Sequence, residues 1–116
     1  MIDFFKMSGS GNDFILIDNR DGSLDVGDLA AFARSVCERK VSVGADGLFL
    51  IERSEKVDFR WRFHNADGSV ADMCGNGGRC AARFAYLKGI TGERMSFETG
   101  AGIIDAEVRG LSLIHI

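Results

Sequence analysis

Asn65-Ala66-Asp67-Gly68-Ser69-Val70-Ala71-Asp72-Met73-Cys74-Gly75-Asn76-Gly77-Gly78-Arg79-Cys80 is the stretch on which the reading of this chain turns. It joins an alternating apolar run to an almost wholly apolar helical run, with a cysteine just ahead of the helix. The first N–H groups of a helix have no intrahelical partners, and the dipole leaves that end partly positive. A thiol placed there is biased toward thiolate, because the positive end stabilises the charged form. The glycines that follow carry no Cβ, so their backbone can approach a ligand closely. Residues 74–78 therefore read as a nucleophile or base beside an anion-binding turn.

Upstream, Asp58 to His64 alternates, with Phe59, Trp61 and Phe63 on one face and Arg60, Arg62 and His64 on the other. That is the pattern of a half-buried strand in an antiparallel sheet. Asp67-Gly68 turns the chain. Downstream, from Asn76 or Gly77 to Leu87, the residues Cys80, Ala81, Ala82, Phe84, Ala85 and Leu87 leave almost no polar side. Arg79 and Arg83 share one charged stripe. A helix apolar nearly all round is a central one, and its alanines let a sheet wrap tightly around it. Gly89 is placed to end it.

Further out, residues 2–5 and 14–18 read as a hairpin around a turn at Ser8–Asp13, with Phe14-Ile15-Leu16-Ile17 a buried strand. An amphipathic helix follows, capped by Asp28 or Asp25. Leu29, Phe32, Ala33, Val36 and Cys37 face inward, and Arg34, Glu38 and Arg39 outward. Cys37 thereby reads as a small core residue. A turn over Val41–Asp46 leads to a strand, Leu48–Glu52, and residues 53–57 form a charged loop. Arg94–Glu98, Ile103–Arg109 and Leu111–Ile116 read as strands split by glycine turns. The order implies an α+β fold in which a mixed, largely antiparallel sheet curls around one buried central helix. Residues 1–116 form a single domain, whose apolar ending at 111–116 needs a cover or stands as an open edge.

The bulk numbers agree. One compact domain is what 116 residues allow, and 46% hydrophobic with 27% charged content is that of a globular protein. A net charge of −3 with the two signs interspersed gives no nucleic-acid footprint. No apolar run reaches a membrane span, and Asp3 and Lys6 disqualify a signal peptide. Three cysteines, an odd count, favour reduced thiols in a cytoplasm. With 15 glycines and no proline, glycine must supply nearly all the special backbone turns.

Cys74 is the first candidate for chemistry, against the plain alternative of a small buried hydrophobe. Asn12, Asn65 and Asn76 each sit in a glycine or aspartate turn. Neutral amides that converge on Cys74 could hold an amino acid's ammonium and carboxylate without adding net charge. Asp46 and Asp67, both in Ala-Asp-Gly triplets, read as turn formers, and Asp72 as a helix cap. His64 and His115 have no partners in the local sequence. Cysteine and histidine spacings fit no metal site. Gly9-Ser10-Gly11-Asn12 lacks both the phosphate-loop lysine and the dinucleotide fingerprint.

Three blocks in order carry a resemblance: Lys6-Met7-Ser8-Gly9-Ser10-Gly11-Asn12-Asp13-Phe14, then Gly44-Ala45-Asp46-Gly47, then Asn65-Ala66-Asp67-Gly68-Ser69 running into Met73-Cys74-Gly75-Asn76-Gly77-Gly78-Arg79-Cys80. They resemble diaminopimelate epimerase, nearly throughout the chain to about Arg109. The resemblance implies a two-lobed enzyme, each lobe a sheet wrapped on a central helix. Such an enzyme inverts one α-carbon of diaminopimelate, on the route to lysine and peptidoglycan, with no cofactor and no metal. Cys74 matches the family's first catalytic cysteine, and Asn12 and Asn65 match substrate-binding asparagines. Gly75 and Asn76 match the turn that receives the α-carboxylate.

The expected partners are an amino-acid substrate, a C-terminal lobe bearing the second catalytic cysteine, and a second copy of the chain in a homodimer; nucleic acid and membrane are not among them. Three departures stand out. The second cysteine and its lobe are absent here, so the chain alone is expected to be inactive. Residues 111–116 do not follow the family pattern. Gly47 stands where some members carry a glutamine that reaches the substrate. The alternatives are a related cofactor-independent racemase or isomerase of another amino acid, a non-catalytic thiol-containing binding module, or a thiol redox protein.

Overall fold

The structure is a computed structural model that describes residues 4–9, 12–22, 24, 27–38, 46–71, 75–109 and, for their backbone, 113–115. Among the described residues seven strands and two helices follow one another as β1 (Phe5–Gly9), β2 (Asn12–Asp18), α1 (Leu29–Cys37), β3 (Gly47–Glu52), β4 (Phe59–Asn65), α2 (Gly75–Leu87), β5 (Arg94–Thr99), β6 (Gly102–Arg109) and β7 (Leu113–His115). The strands form one sheet in sequence order, β1 to β7. Two pairings, β2 with β3 and β4 with β5, are parallel; the other four are antiparallel.

Each parallel pair is joined by a helix, as a parallel connection requires. Because β3 and β4 are antiparallel, the two pairs point in opposite directions along the sheet. Crossovers of one hand then place their helices on opposite faces. The core divides accordingly. Phe14, Leu16, Phe49 and Ile51 pack with α2, while Ile15, Ile17, Leu48 and Leu50 pack with α1. β3 is buried from end to end, which is why Leu48-Phe49-Leu50-Ile51 reads as a continuous apolar run and not an alternation. β4 has a helix on only one side along most of its length, and its Arg60 and Arg62 are exposed.

Against α2 the sheet contributes a row of aromatic rings. Phe49 stacks on Phe63 at 4.1 Å and lies 4.7 Å from Trp61; Phe59 stacks on Phe97 at 4.9 Å. On the helix side, Gly77, Gly78, Ala81, Ala82 and Ala85 are buried. They let the sheet close in, and α2 touches β1 and β2 at one end of the strand order and β6 and β7 at the other. This is the expected curl around a central helix. Its last turn differs from the expectation: Leu87 is 66% exposed, because the sheet covers the helix only as far as Ala85.

Other boundaries shift. The first strand is described over Phe5–Gly9, while residues 2 and 3 of the expected 2–5 strand lie outside the described residues, and Ser8 and Gly9 pair with Asp13 and Asn12 where the sequence implies a turn. Short polar side chains leave the ladder's N–H and C=O groups unaffected, so the pairing runs on to Gly9 and Asn12. α2 begins at Gly75, ahead of Asn76, and β7 is described over Leu113–His115, the rest of the expected 111–116 strand lying outside the described residues. Asp28 caps α1, its carboxylate accepting from Ala31 N at 3.0 Å. Most of the expected turn at 41–46, and Asp25, Arg39 and Asp72, lie outside the described residues.

Candidate functional site

One end of the sheet collects the residues that the sequence singles out. Register pairs Phe14 with Gly47 and Gly47 with Asn65, so the starts of β2 and β3 and the finish of β4 lie side by side. The chain leaves β4 at this end, makes a bridge from Val70 back to His64, and enters α2 at Gly75. Topology thus brings the N-terminus of α2 to the hairpin of β1 and β2.

The junction is explicit. Asn76 Nδ2 donates to Asn12 Oδ1 at 2.8 Å across 64 residues of sequence, and Arg79 Nη2 donates to Asn76 Oδ1. Asn12 and Asn76 are half-buried, and Gly75 is exposed at the helix start. Asn12 and Asn76, expected in turns, are the first residue of β2 and a first-turn residue of α2. Asn65, also expected in a turn, closes β4. Its Nδ2 donates to Ser69 Oγ at 3.0 Å, and its N–H donates to Ser69 O at 2.8 Å. The structure therefore joins Asn12 to Asn76 and sets Asn65 at the same sheet end, with its amide engaged by its own turn. Cys74, with Met73 and Asp72, lies outside the described residues; in sequence it directly precedes Gly75.

Asp46 ties these pieces together. Its Oδ2 accepts from Asp13 N at 2.7 Å, its N–H donates to Asp13 O at 2.8 Å, and its carbonyl accepts from Ala66 N at 2.9 Å. One residue thus links the starts of β2 and β3 to the turn after β4, a larger role than turn former. At Gly47 a Cβ would stand 2.8 Å from Phe63 Cε1 and 3.1 Å from His64 O, so only glycine lets the rings of Phe14 and Phe63 close over this point.

The turn that carries Asn65 is held from below. Gly68 is buried with φ +91°, and its backbone sits directly on α1 at Ala30 and Arg34. His64, expected to lack a partner, has Nδ1 2.9 Å from Gly68 O and is only 8% exposed. Its partner sits four residues on, brought back by the turn. Asp67 accepts from Ser69 Oγ at 2.6 Å and Ser69 N at 2.8 Å; these bonds, the hydroxyl's first, hold its carboxyl below the ordinary value.

The far end of the same sheet is built of charge. Glu52 accepts from Arg62 Nη2 at 2.7 Å and Nε at 2.9 Å, from Asn19 Nδ2 at 3.0 Å and from Arg60 at 3.3 Å. Burial pushes its pKa up, but the bonds from Arg62 and Asn19 and the two positive charges outweigh burial and hold it below the ordinary value. A surface hollow of about 570 Å³ also lies away from the asparagine cluster, beside Asp58 before β4 and along β5 and β6. Its groups are paired with one another, as in Ser96 N to Asp58 Oδ2 at 2.8 Å and Arg94 to Glu107 at 3.3 Å. Among the described residues no group of three or more His, Cys, Asp or Glu is placed to hold a metal, and no helix is long and apolar enough to cross a membrane. The Asn12–Asn76 bond spans 64 residues and the Asn19–Glu52 bond 33, so neither has a local sequence signal.

Residues 4–112 match the family described as diaminopimelate epimerase. A diaminopimelate epimerase from Aquifex aeolicus is 51% identical over 115 residues, which cover 92% of this chain and 41% of that protein. One from Chlorobaculum tepidum is 53% identical over 112 residues, covering 95% of this chain and 43% of the relative. The chain thus spans about two fifths of the length of these relatives. Among solved structures, a hydroxyproline epimerase from Agrobacterium vitis superimposes with a TM-score of 0.68 at 13% identity, over 92% of this chain and 37% of that one, which speaks to the fold.

Proposed function

Since the chain belongs to the diaminopimelate epimerase family, we propose that it is the N-terminal lobe of a cofactor-independent epimerase that interconverts LL- and meso-diaminopimelate in the cytoplasm. Cys74 serves as the acid/base on one face of the α-carbon, and a thiol from a C-terminal lobe serves on the other. The Cys74 thiolate takes the α-proton, leaving the C–H electron pair on the α-carbon and its carboxylate. The opposed thiol returns a proton to the other face, and the two sulfurs exchange protonation states. A pair of groups with matched pKa lets either isomer be substrate.

The first-turn N–H groups at Gly75 and Asn76 receive the α-carboxylate. They stabilise the charge that builds on it as the proton leaves. Asn12 and Asn65 hold the substrate's polar groups. The observation that carries this reading is the 2.8 Å bond from Asn76 to Asn12, which fastens the helix start beside Cys74 to the β1–β2 hairpin. Needing two opposed bases and holding one, this lobe alone turns nothing over.

A chimera tests the reading: residues 1–109 joined to the remaining part of the Aquifex aeolicus relative. In D2O it is expected to convert LL-diaminopimelate to the meso isomer with solvent deuterium at the inverted carbon. Cys74→Ser is expected to lower turnover by at least about a hundredfold. Normal turnover in that variant would remove Cys74 from the mechanism, and deuterium exchange by residues 1–109 alone would overturn the two-lobe requirement.

A further inference from the structure

We infer that Arg79 is a positioning residue whose guanidinium sets the polarity of the Asn76–Asn12 pair, so that Asn12 offers an N–H donor to an anionic group of the substrate. The inference rests on the epimerase reading above and assigns a task to a side chain that this reading leaves unused. An amide carries a donor and an acceptor at its two ends, and packing alone barely distinguishes them. A guanidinium carries donors only. Next to Arg79, Asn76 can therefore turn only its Oδ1 that way, and this is the contact found. The guanidinium lies back over the start of α2: a Cβ at Gly75 would be 3.6 Å from Arg79 Nη1.

With Oδ1 held, Asn76 has only its NH2 to turn toward Asn12, and Nδ2 donates to Asn12 Oδ1 at 2.8 Å. Asn12 then keeps its own Nδ2, which has no hydrogen-bond partner among the described residues, as the remaining donor of the chain. Inverting either amide would set donor against donor or acceptor against acceptor, which a half-buried pair does not tolerate cheaply. A permanent cation at one end of a two-amide relay thus fixes a neutral donor at the other. It selects a carboxylate there without placing a full charge beside the reacting carbon.

The test uses the chimera with Arg79→Met, which keeps length and helix propensity but offers no donor. KM is expected to rise about tenfold with kcat within threefold, because a contact made equally to substrate and transition state is lost. Arg79→Lys, again donor-only, is expected to recover most of that loss. Asn76→Asp keeps the contact to Arg79 but cannot donate to Asn12, and is expected to lose at least as much as Arg79→Met. In parallel, with ¹⁵N-labelled asparagine, the side-chain NH2 resonances of both Asn76 and Asn12 are expected to shift in Arg79→Met and return in Arg79→Lys. Unchanged KM together with unmoved resonances overturns the inference. If the unsubstituted chimera is inactive, the epimerase reading fails, and the resonances still decide the relay.

Discussion

Replacing Gly68 by alanine tests whether α1 supports the turn that carries Asn65. Gly68 has φ +91°, and a Cβ there would stand 2.7 Å from Ala30 O, 2.7 Å from Arg34 Nη1 and 2.9 Å from Arg34 Cγ. The Arg34 guanidinium can swing aside; the Ala30 carbonyl belongs to helix backbone and cannot. Left-handed backbone costs alanine about 1–2 kcal/mol, and forced overpacking about 1–3 kcal/mol, so the sum is about 3 kcal/mol. With a urea m-value of about 2 kcal/mol/M, the unfolding midpoint should fall by roughly 1.5 M. Two controls separate the contributions. Gly22→Ala has φ +70° and nothing within 4 Å, so strain alone should cost about 1–2 kcal/mol. Gly27→Ala has open space and no left-handed backbone, and should be neutral or stabilising by up to about 1 kcal/mol. Arg34→Ala combined with Gly68→Ala should cost less than the two separately, by about 0.5–1 kcal/mol. A Gly68→Ala midpoint no lower than that of Gly22→Ala would refute the reasoning, because α1 would then yield to the turn.

Two further outcomes are expected. Glu52 has its folded pKa held below the ordinary carboxyl value of 4.5, so the unfolded chain takes up the proton first as pH falls. The stability it contributes is present above about pH 4.5 and is lost as pH drops through the lower folded value. Glu52→Gln should therefore cost about 1–2 kcal/mol at pH 7, a figure reduced because both arginines are about half exposed, and the gap to the unsubstituted protein should close toward pH 3; a gap that stays constant down to pH 3 would show that the charge is irrelevant. Asp46→Ala removes the acceptor for Asp13 N–H and should cost about 1.5–3 kcal/mol with faster hydrogen exchange at that amide, whereas Asp46→Asn should keep most of both; equal protection in the two variants would count against the tie.

The fold was legible where one side of a strand or helix meets water. Phe59-Arg60-Trp61-Arg62-Phe63 alternates because α2 covers one face of β4 and solvent reaches the other. The Phe14–Ile17 run is unbroken because helices cover both faces of β2. Asp28 was legible as a cap because capping is a local bond. What could not be read was anything set by strand direction or by distant partners. That α1 and α2 take opposite faces follows from β3 and β4 being antiparallel, which no local pattern states. In the first hairpin Ser8, Asn12 and Asp13 are turn formers by composition, yet they pair as strand. At the candidate site the sequence named Asn12, Asn65 and Asn76 and missed the bonds that orient them, along with the parts played by Arg79, Asp46 and Gly68.

The two ends of the sheet differ in a way that bears on how such a site can exist. At the far end Glu52 is buried under Arg62, Arg60 and Asn19, and Asp18 is paired with Arg20 at 2.9 Å. Those charges satisfy one another, and a ligand that entered would have to break them. At the near end Asn76 faces Asn12 and Asn65 faces Ser69, with Arg79 behind Asn76 and Asp67 behind Ser69, while Lys6 and Asp13 pair at 4.0 Å on the hairpin and the Asp46 carboxylate accepts from Asp13 N–H. An amide without a ligand costs far less to keep partly buried than a charge does. On the proposed epimerase reading, a site that stands empty between turnovers is better lined with amides than with unpaired ions. Strand direction puts the two ends to different use. β4 delivers the chain to the start of α2 at the end where β2 and β3 begin, so the helix dipole, the glycines and the asparagines meet there, and the ion pairs of Glu52 and Asp18 stand at the other end.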